Sequence, residues 1–184
     1  SSILTLSKNL QKSYELTKKA DFTICGLQCI LLEDKVAGVI GTGLIGRKTA
    51  EKISGLVSKV IRLAYLDKKY EYIYIYNFLS TIYILIYHTE ASNLSMQVIC
   101  FDAYPDNEWM KSIPNAEYVE LEQLLSHSNV ISIHVPFLKE THHMINESAI
   151  SKMKDDVILV NTSQSEVVKA SAIAQGLKSG KIFG

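Results

Sequence analysis

Residues 35–50 read KVAGVIGTGLIGRKTA, an apolar run that ends in Gly41-x-Gly43-x-x-Gly46 and passes directly into helix-forming residues. Val36, Val39 and Ile40 suit a strand buried on both faces. After it, Gly41 permits a tight turn, Gly43 lets the backbone approach a pyrophosphate, and Gly46 lets the following helix pack close. Amides at that helix start would face the phosphates, since the first N–H groups of a helix have no partner within it. A glycine-bearing turn can be merely structural; its position between a strand and a helix is what makes this one a dinucleotide-binding signal.

Strands and helices alternate outward from this stretch. Residues 7–20 read as one amphipathic helix and 21–34 as an irregular crossing segment. A strand and helix over 35–54 are followed by strands at 97–101 and near 118–119, a helix at 121–127, a strand at 130–135, a helix at 147–153, a strand at 157–160, and a helix at 171–179 that stops at Gly180. This order predicts an α/β fold: a Rossmann-type doubly wound parallel sheet, covered on both faces, with its ligand at the carboxyl ends of the strands.

A chain of 184 residues suffices for one substantial domain and a fragment of a second. Nineteen basic residues balance nineteen acidic ones, so no net charge draws the chain to nucleic acid or to an anionic membrane surface. A small molecule or another protein surface is the expected partner. Cys25, Cys29 and Cys100, with no Cys-x-x-Cys pair, fit reduced thiols better than a disulfide framework. The opening SSILTLSKNL has neither Met nor a secretory signal pattern. A missing true N-terminus and a cytoplasmic location are therefore expected.

One segment breaks the alternation. Residues 57–95 contain no Gly or Pro and hold seven of the ten tyrosines. The uncharged stretch 72–87 is shorter than the roughly 20 residues a spanning helix needs and includes Asn77, Ser80 and Thr81, which argues against a membrane helix. YEYIYIY would suit a hairpin strand, but an exposed aromatic edge is an aggregation hazard. The segment opens with Val57-Ser58, which GTAAGT would encode, and consists largely of residues with A/T-rich codons. We read it as an irregular insert originating as a translated intron; a mature transcript that still encodes it would rule this out.

With 57–95 set aside, KVAGVIGTGLIG, VICFDAYP, ISIHVPFLKETHHMIN and DDVILVNTS follow in order. Together they resemble the coenzyme domain of the NAD-dependent D-isomer-specific 2-hydroxyacid dehydrogenases, closest to the D-lactate dehydrogenase branch. LTLSKNLQKSYELTKKADF is similar to the helix and crossing segment by which that family leaves its substrate domain. The resemblance implies a division into 1–34, belonging with a missing substrate domain, and 35–184, the NAD-binding domain. It implies NAD as cofactor, a small 2-hydroxy or 2-oxo acid as the ancestral substrate, and a homodimer formed through the helix at 7–20. Leu44 and Ile45 would lie on the pyrophosphate with Gly41, Gly43 and Gly46, and Asp102 would take the adenosine ribose hydroxyls. Val135, Pro136 and Thr141 would line the coenzyme, and Thr162 and Ser163 would pass beneath the nicotinamide. Asp102 also has a plain alternative, a strand-end turn with Ala103, Tyr104 and Pro105. It lies 56 residues after Gly46, against about 20 in the usual fingerprint, and removing the 39 residues 57–95 restores that spacing.

The chemistry departs from the family's. After Thr-Ser the family has an arginine that clamps the substrate carboxylate; here it is Gln164, with Ser165 and Lys169 where Gly and Asp are expected. Glutamine cannot supply two parallel charged donors. The family's acid–base histidine and its acidic partner correspond to positions past Gly184, and none of His88, His127, His134, His142 and His143 fills that role. His142 and His143 are expected to be poor metal ligands, because adjacent residues on an extended chain point apart and no acidic or cysteine partner has suitable spacing. The expected chain is thus an NAD-binding domain of an oxidoreductase acting on D-2-hydroxy acids, without an intact catalytic set. A non-catalytic NAD(H) sensor or interaction module is the alternative.

Overall fold

Five parallel strands, β1 (Val36–Ile40), β2 (Gln97–Phe101), β3 (Ala116–Tyr118), β4 (Val130–Ile133) and β5 (Ile158–Asn161), form one sheet in the order β3-β2-β1-β4-β5. The structure, a computed structural model, describes residues 2–23, 26–55 and 96–184. The insert 57–95, with its membrane-helix, hairpin and intron readings, lies outside the described residues, as does Cys25. No helix among the described residues is long and apolar enough to cross a membrane.

The central strand shows why its sequence is apolar throughout. Ala37 and Val39 pack with Ala50 and Ile53 of the helix α3 (Leu44–Ser54) on one face, while Ile40 joins Leu124, Ile131 and Ile133 on the other. A strand covered on both sides has no face left for polar residues. Beyond β5 the chain returns to the same sheet: the Val157 amide donates to the Lys181 carbonyl (3.2 Å), Phe183 to Val157 (2.9 Å) and Leu159 to Gly184 (2.9 Å). With the isolated parallel bridge between Val157 and Ile182, these bonds start a further position beside β5, and the five strands themselves follow the 3-2-1-4-5 part of the doubly wound dinucleotide order. The α/β, Rossmann-type architecture is therefore as expected.

Four departures from the sequence reading exceed a one-residue shift at an element's end. The helix expected over 7–20 is two, α1 (Ser2–Ser7) and α2 (Leu10–Lys18), broken at Asn9, which takes a left-handed φ of 51° that asparagine tolerates. Ser7 is fully buried and its carbonyl accepts from Ile30 (2.8 Å), whereas Leu10 and Tyr14 of α2 stay exposed. The turn at residue 9 lets the first helix pack while the second runs along the surface. Asn107–Met110 forms a short helix, α4, capped by Asp106, whose side chain accepts from the Trp109 amide (3.0 Å). β3 sits at 116–118 instead of 118–119, and β4 ends at Ile133 because the chain then leaves the sheet over Gly41. The remaining helices are α5 (Leu121–His127), α6 (Glu147–Lys152) and α7 (Ala170–Ser179), the last stopped by Gly180 at φ 75°.

Candidate nucleotide site

Because the strands are parallel, their carboxyl ends share one edge, and the order of connections reverses between β1 and β4. Such switch points leave a crevice outside the sheet. The Gly41-x-Gly43-x-x-Gly46 loop borders it, and its glycines have different causes. Gly41 has φ 90°, and a Cβ there would come within 2.9 Å of the His134 carbonyl carbon and of Val135 Cγ1. A Cβ on Gly46 would overlap the Gly41 carbonyl oxygen, backbone against backbone. Gly43 has an ordinary φ of −67°, and a Cβ there would meet no atom within 4 Å. The protein itself thus requires Gly41 and Gly46 but not Gly43. The space kept free above Gly43, at the N-terminus of α3, is of the kind a pyrophosphate needs. Leu44 and Ile45 follow at 82% and 64% exposure, large apolar side chains turned out beside that space.

Asp102 leaves β2 next to this loop. Its Oδ2 accepts from the Thr42 amide (2.6 Å) and the Thr42 hydroxyl (2.8 Å), and its Oδ1 from the Tyr104 amide (2.9 Å). The strand-end turn with Tyr104 forms, and the carboxylate also borders the glycine loop. Partial burial works to raise its carboxyl pKa, but the bonds from Thr42 and Tyr104, with the Arg47 charge nearby, outweigh that and hold it below the usual carboxylate range. An ionised carboxylate with an Oδ1 position still open suits a ribose hydroxyl donor.

On the other side of the crevice, Val135 touches Gly41's open face, and Pro136 starts a loop closed by Thr141, whose hydroxyl accepts from the Leu138 amide (2.8 Å) and donates to the Pro136 carbonyl (2.7 Å). Thr162 reaches back to β4, its hydroxyl donating to the Ile133 carbonyl (3.1 Å) and lying 2.7 Å from His134 Nδ1. Ser163 donates its amide to Asn161 Oδ1 (2.9 Å), while its hydroxyl is buried with no protein partner. Buried hydroxyls rarely lack one. Gln164 is exposed at the start of the 3-10 turn Ser165–Val167. Thr42 within the loop, and Arg47, Asp106 and Tyr118 beside it, carry no sequence signal that singles them out.

His134 ties these strands together. With the Thr162 proton given to Ile133, His134 Nδ1 must be the N–H donor to Thr162 and Nε2 the acceptor from Ser132 Oγ (2.8 Å). Burial holds the imidazole pKa below its ordinary value. The folded protein then binds fewer protons here than the unfolded chain, so this stability is complete above the unfolded pKa, near 6.5, and is lost as pH falls toward the lowered folded value. Thermal melts from pH 7.5 down to 5 should show Tm falling in that window, with a smaller fall for His134→Asn. Acid effects of Asp102 and Asp106 belong below about pH 4.

His142 and His143 are not on an extended chain: His143 has φ 50°, and the two rings stack at 3.9 Å. The expected reason for excluding them as ligands is therefore corrected; among the described residues no group of three or more His, Cys, Asp or Glu is placed to hold a metal. Cys100 is buried beneath the site, its thiol pushed up to about 12 by burial and then by the Asp102 charge, so it is inert.

The sequence profile of the D-isomer specific 2-hydroxyacid dehydrogenase, NAD binding domain, matches residues 86–184. The chain belongs to this family. It is 29% identical over 180 residues to a D-lactate dehydrogenase of Escherichia coli K12, a match covering 98% of this chain and 43% of that protein. To a D-lactate dehydrogenase of Treponema pallidum it is 44% identical over 91 residues, 48% of this chain and 26% of that one. The crystal structure of D-lactate dehydrogenase from Aquifex aeolicus complexed with NAD and lactic acid covers 100% of this chain, with 43% of that chain matched, a TM-score of 0.70 and 33% identity. This 2-hydroxyacid dehydrogenase relative thus spans less than half the length of the curated proteins it matches.

Proposed function

We propose that this chain binds NAD(H) as the coenzyme domain of a D-2-hydroxyacid dehydrogenase of the D-lactate type, and that as it stands it does not turn over a 2-hydroxy acid. The observation that carries the binding half is Asp102 held against Thr42, between the first two glycines, with free space above Gly43. Gly41, Gly43, Leu44, Ile45 and Gly46 take the pyrophosphate side, and Asp102 takes the ribose. Val135, Pro136 and Thr141 line the opposite wall, and Thr162 and Ser163 lie under the nicotinamide. The unsatisfied Ser163 hydroxyl and the outward Leu44 and Ile45 support this occupancy. Residues 35–184 form the coenzyme domain, and 1–34 go with the substrate domain.

When bound, NAD supplies the hydride chemistry; the residues of this chain position it. The inactive half rests on Gln164. A reaction that binds a carboxylate beside a polarised carbonyl gains from a paired, charged donor, and losing one such donor typically costs about 10²–10³ in rate. An intact nucleotide crevice beside an uncharged residue 164 also fits a non-catalytic NAD(H) sensor. Trp109, the single tryptophan, lies over Arg47 near the glycine loop, so its emission should be quenched as NADH is added. Under the same conditions D-lactate with NAD should yield no NADH. Absence of quenching counts against the binding half, and turnover that survives stringent purification counts against the inactive half.

A further inference from the structure

Four residues from two distant stretches of the chain, Thr42 and Arg47 with Asp106 and Tyr118, close a ring at the glycine loop. Arg47 Nε donates to the Thr42 carbonyl (2.9 Å), Arg47 Nη1 pairs with Asp106 Oδ2 (2.8 Å), the Asp106 amide donates to the Tyr118 hydroxyl (3.2 Å), and that hydroxyl lies 2.9 Å from Thr42 Oγ1. The ring spans the β1–α3 loop, the first turn of α3, the approach to α4 and the end of β3. We propose that Arg47, Asp106 and Tyr118 are positioning residues for the coenzyme, fixing the Thr42 peptide and hydroxyl so that they hold the Asp102 carboxylate ready for the ribose diol. This rests on the NAD(H)-binding reading of the preceding subsection.

Proton counting gives the ring a direction. A threonine hydroxyl has one proton. Spent on Asp102 Oδ2 (2.8 Å), it leaves Thr42 Oγ1 as acceptor from the Tyr118 O–H, and the Tyr118 oxygen accepts in turn from the Asp106 amide. Donors therefore run from Asp106 through Tyr118 and Thr42 and end on Asp102. With the Thr42 amide also on Oδ2 (2.6 Å), that oxygen is saturated, and the remaining acceptor capacity is on Oδ1, which takes only the Tyr104 amide. Thr42 is 3% exposed, so a donor or acceptor lost here is not readily replaced by water.

Arg47 suits the closing position because its planar fork serves two partners at once while its face lies 5.0 Å from the centre of the Trp109 ring. Lysine has one point charge and cannot reach both the Thr42 carbonyl and Asp106 in that geometry. The Arg47 and Asp106 side chains are 35% and 38% exposed, and an ion pair so exposed adds little stability by itself. Its orienting effect on Thr42 is the larger consequence.

A double-mutant cycle on the full chain, with NADH as titrant in a calorimeter, tests this. Arg47→Lys should raise the Kd about tenfold and Asp102→Asn about 30-fold. The double substitution should bind within about twofold of Asp102→Asn alone, since without the carboxylate there is nothing left to position. Tyr118→Phe, which removes only the ring oxygen, enters the same cycle and replaces Arg47→Lys should that variant fail to fold. Losses that add, or an unchanged Kd in the Arg47 or Tyr118 variants, overturn this inference and leave NAD(H) binding standing. A parent chain that binds no NADH overturns both.

Discussion

Gly46→Ala should destabilise the chain by about 3 kcal/mol or more, enough to lower Tm by roughly 10 °C in a protein of this size. The new methyl would overlap the Gly41 carbonyl oxygen, and neither partner can swing aside as a flexible side chain could. Gly41 is fixed in turn by its φ of 90° and by the bond from its amide to the Phe101 carbonyl (2.8 Å). Relief therefore requires α3 to lift from the sheet, and with it Ala50 and Ile53, which are 0% and 4% exposed. Circular dichroism melts of the parent and the variant measure this directly. A Tm within about 2 °C of the parent would show that the loop is looser than this packing allows.

Gly43→Ala should behave in the opposite way. Its backbone angles suit alanine and its methyl meets nothing in the protein, so Tm should move by no more than a few degrees. NADH affinity should nonetheless fall about 100-fold, the loss expected when a methyl separates a phosphate from two charge-assisted amide bonds. Two glycines three residues apart thus separate a folding requirement from a binding requirement. If Gly43→Ala binds NADH as the parent does, the space above residue 43 has another explanation.

Much of this was legible in the chain. Residues 36–40 announce a strand covered on both faces because no polar residue interrupts them, and Gly41, Gly43 and Gly46 announce the turn into α3 by spacing. Asp102 stands out through the motif that ends β2, and the structure places it beside Thr42, 60 positions away in sequence. The break at Asn9 left only a weak mark in the chain, Ser7 and Asn9 among residues of good helix propensity, because what decides it is the burial of Ser7 in tertiary packing. α4 is four residues long, too short for a periodic pattern. The stacking of His142 on His143 depends on a left-handed residue that neither histidine advertises. Thr42, Arg47, Asp106 and Tyr118 have no shared motif, and the Thr42–Tyr118 bond joins residues 76 positions apart. Only the folded sheet brings them to one edge.

Calorimetric titration of the purified chain with NADH and then NADPH bears on the whole account. The amides of the glycine loop and the Asp102 carboxylate together predict saturable NADH binding at one per chain, and NADPH at least about tenfold weaker because its 2′-phosphate meets a negative charge. No heat with NADH, or equal affinity for the two nucleotides, would contradict it.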